Sequence, residues 1–152
     1  MIRIGTRREP VTVPLRPPYG DVTVTLKRLT SADYGEAQQA ARAILRNDSE
    51  LLNLLAKHDL LPSGGIKAWK HMKDGDPIAY AGFVSGIGIW LGAVECGVRG
   101  ITAWTGIVGD DKQPVPVSRE ALEVLMLDEA LSTELMNELD KAARILLIEG
   151  EP

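Results

Sequence analysis

"PIAYAGFVSGIGIWLGAV", Pro77 to Val94, runs for eighteen residues without a charged side chain. Its length decides between the two regular structures, because a β-strand averages about five or six residues. Asp76 just before it offers a carboxylate to the free amides of a helix start, and Pro77 suits the first helical position. The stretch therefore reads as a helix despite its four glycines. Glu95 and Arg99, spaced i to i+4, extend it, while Gly97 and Gly100 weaken the extension.

On a helical wheel its sides are unlike. Tyr80, Val84, Ile87, Leu91, Val94 and Val98 make a stripe of large side chains suited to the domain's own core. Gly82, Ser85, Gly92 and Cys96, interrupted by Ile89, make a small-residue stripe that permits close approach of another helix. Phe83 and Trp90 share a third side. A helix apolar all round needs cover all round, so Phe83 and Trp90, with Gly82, Gly86 and Ile89, are the expected protein-binding residues.

Two other readings of the stretch fail on spacing or composition. "GIGIWLG" sets its third glycine at Gly92, one residue beyond the dinucleotide-loop spacing, and lacks the flanking strand and acidic residue. Eighteen helical residues reach about 27 Å, close to a bilayer's hydrocarbon core, and Gly82-x-x-x-Gly86 is a packing motif of membrane helices. Four glycines, a serine and a proline make it weakly apolar, however, and the remaining chain has soluble character, so no membrane is expected as a partner.

The 152 residues suit one domain, 45% hydrophobic and 25% charged, and a chain of this size buries a sufficient core without staples. A single cysteine, Cys96, excludes an internal disulfide and suits a reducing compartment. His58 and His71 lie among lysines, without partners at metal-ligand spacing, and are expected at the surface. "MIRIGTRREP" carries arginines and no apolar segment of a secretory signal. The net charge of −4 and few aromatics make nucleic acid a poor partner. Residues 1–30 carry six basic groups against two acidic ones, and residues 118–152 carry three against nine, an asymmetry that suits self-association through unlike surfaces.

Val11, Val13 and Leu15, then Val22, Val24 and Leu26, alternate about the turn-rich "PPYGD" as a β-hairpin does, with Pro14 confining the first strand to an edge. Thr30 with Asp33 predicts a capped helix start, and Tyr34, Ala37, Ala41, Ile44 and Leu45 its apolar stripe. A second short helix buries Leu51, Leu52, Leu54 and Leu55, whereas "IKAWKHMKDGD" reads as a helical turn or loop. Ser118 caps a helix with Leu122, Leu125 and Met126, and a break between Asp128 and Ser132 precedes a last helix striped by Leu131, Leu135, Leu139, Ala142 and Leu146. The expected fold is α+β: a single domain over 1–152 with residues 1–10 as a disordered arm, an N-terminal β-hairpin over 11–29 and a mainly α-helical body over 31–148.

No constellation for catalysis, cofactor or metal binding emerges. Asp110 and Asp111 sit in a turn, where Asp commonly bonds the backbone, and Glu134, Glu138 and Asp140 read as a solvated helix face. Ser63 and Ser118 have no histidine relay.

The order of "VTLKRLTSADY", the apolar helix leading to "ITAWTGIV", then "GDDKQPVPVSREALEVLM" and a closing helix into "KAARILLIEGEP" resembles the tail assembly chaperones of long-tailed bacteriophages and prophages. The resemblance implies a non-catalytic protein of the host bacterial cytoplasm. Its partners would be a tape measure protein, whose hydrophobic helices it keeps soluble, and tail tube protein, alongside self-association. A virion structural component such as a head-to-tail connector, or a small membrane-associated protein using residues 77–94, are the alternatives.

Overall fold

The computed structural model describes residues 9–144, together with the backbone of two terminal strands, Ile2–Ile4 (β1) and Leu146–Ile148 (β5). The first hairpin is as the alternation predicts. β2 (Val11–Pro14) and β3 (Thr23–Leu26) pair antiparallel with Val13 opposite Val24, and Val24 and Leu26 point into the core. β4 (Ile101–Thr105) joins β3 on the other side, giving a three-stranded sheet in the order β2-β3-β4. Pro14 thus lies on an edge strand, where its missing N–H breaks no ladder. The outer face of this sheet is knitted by threonines, Thr12 to Thr25 at 2.8 Å and Thr23 to Thr105 at 2.5 Å.

Six helices follow from local signals and are finished by packing. α1 (Ser31–Arg46) starts with a reciprocal capping box, in which Asp33 N–H donates to the Thr30 hydroxyl and Thr30 N–H donates to the Asp33 carboxylate. α2 (Asp48–Lys57) buries Leu51 and Leu55, with Leu52 and Leu54 half-buried. Residues 65–75 form a full helix, α3 (Gly65–Gly75), where a turn or loop was expected. Trp69 drives the difference: it is buried against Tyr80, ring centroids 6.2 Å apart, so the segment gains tertiary contacts that its basic composition does not announce.

α4 (Pro77–Gly100) is the single long helix expected from the apolar stretch, capped by Asp76, whose carboxylate accepts from Ala79 N–H. α5 (Arg119–Leu125) is capped by Ser118, whose hydroxyl accepts from Ala121 N–H at 3.1 Å. α6 (Glu129–Ala143) is capped in the same way by Asp128. The fold is therefore α+β and mainly helical, as the periodicities predict.

Both ends differ from expectation. Ile2–Ile4 forms a strand paired antiparallel with Leu146–Ile148, in place of a disordered arm, and the last helix stops at Ala143 instead of continuing through Leu146. Strand pairing between the two ends of the chain is a non-local contact, invisible to a window of local sequence. Residues 1, 5–8, 145 and 149–152 lie outside the described residues.

The core gathers around the C-terminal half of α4, enclosed by α1, α5, α6 and the inner face of the sheet. Leu26, Leu51, Leu55, Leu91, Leu122, Leu135 and Leu139 are essentially inaccessible to solvent. Two glycines of α4 make this enclosure close. A methyl at Gly97 would meet Leu122 of α5 and Met126 just after it, and one at Gly100 would run into Leu139 of α6. Gly106, with φ +84°, turns the chain after β4 with its α-carbon against the backbone of Asp21.

Candidate docking surface

α4 has two halves of opposite character. From Ile87 to Gly100 it is largely buried, whereas from Pro77 to Gly86 it leaves the body of the protein, flanked by α3. Ile78 is 87% exposed and Ile89 is 74% exposed, the highest values among the large aliphatic side chains of the described residues. α4 is also long and apolar enough to cross a bilayer, and only 22% of its most apolar window is buried.

The exposed side continues into a groove. Where α4 enters the body, an open channel of about 480 Å³ lies between α1 and α6, with Tyr34, Ala37 and Gln38 on one wall and Ser132, Thr133, Met136 and Asn137 on the other. Gly88, Ile89, Gly92, Ala93 and Cys96 of α4 line it as well. The rim is polar but uncharged and the lining apolar, a combination that suits an amphipathic helix. Tyr34 is fixed by its hydroxyl, which donates to Asp140 at 2.7 Å; burial, then this bond, pushes the Tyr34 phenol up from its ordinary range. Burial likewise pushes the Cys96 thiol up, with the Asp140 charge adding to it, so Cys96 stays a neutral apolar group.

Of the five expected binding residues, Gly82, Gly86 and Ile89 are exposed. Phe83 is half-buried and packs against the core. Trp90 is buried, contrary to its expected availability to a partner. Its indole Nε1 donates to the Glu123 carbonyl at 3.0 Å, and His58 stands edge-on to its ring at 5.5 Å. The wheel placed Trp90 away from the aliphatic stripe, but α5 packs on that side of α4, so two sides of the helix face the core. The aliphatic stripe is correspondingly shorter than expected: Ile87, Leu91 and Val94 are buried, Tyr80 and Val84 half-buried, and Val98 exposed.

Sequence reasoning missed Ile78, although the spacing 78, 82, 85, 89, 92 was there to be read. It also missed a charged cluster on another side of α4. There a cleft of about 630 Å³ is lined by Glu50, Lys57, Glu95, Arg99, Arg119 and Glu123. Glu95 is 2% exposed, and its carboxylate accepts from Arg119 at 2.5 Å and Arg99 at 2.6 Å. Burial alone raises the Glu95 pKa, but the bonds from Arg119 and Arg99 outweigh it and hold the carboxyl below its ordinary value. Every cation lining this cleft is paired with a carboxylate, which marks the cluster as a lock between α4, α5 and α2.

Two further expectations change. The His58 side chain is buried, 3.3 Å from the Glu123 carboxylate, and is not a surface residue; His71 is exposed. Glu138 is also buried, 3.4 Å from Lys141, so the acidic side of α6 is not simply solvated. Glu134 accepts the Arg16 N–H and Asp140 the Tyr34 hydroxyl, both contacts more than a hundred residues apart in sequence. Comparison of the chain with protein-family models, with curated proteins and with solved structures finds no significant match to any of them.

Proposed function

We propose that the protein is a non-catalytic assembly chaperone whose α4 surface covers an apolar helix of a client until that helix is incorporated. The observation that carries this reading is the exposed half of α4, where Ile78 and Ile89 stand in solvent beside a ready-made groove. A monomer has no structural use for two isoleucines so placed, whereas a helix laid along them would bury both. The resemblance of the chain's layout to phage tail assembly chaperones points to a tape measure protein as the client and to tail tube protein as a further partner, in the host bacterial cytoplasm. Coexpression with a long apolar tape measure segment tests it. The intact chain keeps the segment in the soluble fraction, while Ile78→Asp with Ile89→Asp loses it at an unchanged unfolding midpoint. Retention by the double variant sinks the proposal.

A second reading rests on α4 alone, which meets the length and composition of a membrane span. Flotation with lipid vesicles separates the two, since a membrane protein rises with the lipid in the absence of any client. A connector would instead be found in purified virions by mass spectrometry.

A further inference from the structure

α3 is the most weakly held helix of the fold. The other five each begin with a side chain that accepts a backbone N–H, whereas Gly64 gives α3 no such cap. Gly64 and Gly65 sit at φ +96° and +74°, a left-handed pair that glycine adopts freely, and Gly75 ends the helix. Eleven residues are too few for a helix to persist alone in water, so α3 exists through what it packs on.

That packing centres on one side chain. Trp69 is the single buried residue of α3, set against Tyr80 of α4 and apart from the core around Leu91 and Leu139. Its indole Nε1–H is enclosed with no acceptor in reach, the one such side-chain atom among the described residues. Closure thus costs this group its hydrogen bond to water, and release returns it. Lys73 supplies a second tie: its ammonium lies over the Trp69 ring, 5.0 Å from the centroid, and donates to Asp48 of α2 at 2.7 Å. Both ends of that ion pair are partly in solvent, where such pairs hold weakly.

We infer that α3 is a displaceable latch on the client surface: at rest Trp69 closes over Tyr80, and α3 lets go about Gly64–Gly65 when an apolar client helix engages the protruding half of α4. Tyr80 and Ile78 are two residues apart and so lie on opposite sides of α4. With the latch closed, a client meets the Ile78 side alone. With it released, residues 77–86, which carry no charge, present an apolar surface all round. A client touches the Tyr80 side in the open form only, and that difference in contact is what shifts the equilibrium. The inference rests on the reading of α4 as a docking surface and gives that surface its regulation.

Hydrogen exchange of the purified full chain, followed by peptide mass, tests the latch without a client. Amides of residues 69–75 are expected to exchange at least tenfold faster than those of α1 and α6, and as one unit. Lys73→Glu, which turns the tie to Asp48 into a repulsion, speeds them at least tenfold at an unchanged unfolding midpoint, and adding Asp48→Lys reverses most of that gain. Client binding draws on the open fraction, so the affinity of a labelled leucine–alanine helix peptide rises in Lys73→Glu by the same factor and falls back with the second change. Exchange of α3 as slow as that of α6, an unchanged rate in Lys73→Glu, or slower α3 exchange in the peptide complex than in the free chain overturns the latch. Peptide binding with α3 still shut overturns the latch and leaves the chaperone reading standing. A latch that opens, in a chain whose Ile78→Asp with Ile89→Asp variant binds the peptide undiminished, does the reverse.

Discussion

The indole of Trp90 donates to the backbone carbonyl of Glu123 at 3.0 Å, tying the middle of α4 to α5 in the interior. This bond joins residues 33 apart in sequence and satisfies a polar atom that would otherwise be buried alone. Trp90→Ala is expected to destabilise the fold by about 3–5 kcal/mol through the cavity and the lost bond. Trp90→Phe, which keeps most of the volume but orphans the Glu123 carbonyl, is expected to cost about 1–3 kcal/mol. Denaturant melts of both variants check this. A neutral Trp90→Ala would restore Trp90 to the surface.

Glu95 gives the fold an acid limb. Its carboxyl is held below its ordinary range by Arg119 and Arg99, so the unfolded chain binds the proton more readily than the folded one. The stabilisation is present above the unfolded pKa of about 4.3 and is lost as pH falls through the lower folded value. Melting temperatures measured from pH 6 downward should decline below about pH 4.3, and Glu95→Gln should flatten that decline. At neutral pH, Glu95→Ala is expected to cost about 3 kcal/mol by leaving Arg99 and Arg119 without their buried partner. Arg119→Ala costs less than this, because Arg119 is half in solvent.

Two glycines of one helix should respond in opposite directions. Gly100→Ala drives a methyl into Leu139, which is fully buried and cannot swing aside, and is expected to destabilise by about 1–3 kcal/mol. Gly82→Ala meets open space and is expected to stabilise by about 0.5–1 kcal/mol through helix propensity. Thermal melts of the two variants make the comparison. Equal losses at both sites would contradict the placement of α4 as half buried and half free.

The sequence by itself determined the elements whose causes are local. Asp76 and Pro77 start α4, Thr30 with Asp33 starts α1, and Ser118 starts α5, each because a side chain at a fixed short spacing satisfies free amides. The hairpin was equally legible, since Val11, Val13, Val24 and Leu26 need only a period of two. For the docking surface, the apolar length of α4 and its small-residue side could be read directly, and Gly82, Gly86 and Ile89 are indeed exposed. What the wheel could not decide was which of several apolar sides would be covered. The tertiary structure assigned Trp90 to the core by packing α5 over it, and it joined the buried carboxylate of Glu95 to Arg119, 24 residues away, in one ion pair. It also made a helix of 65–75 by burying Trp69, and joined the two ends of the chain as β1 and β5. Each of these depends on where distant segments meet, and that is set by burying the most apolar area at once, a property of the whole chain that no local window contains.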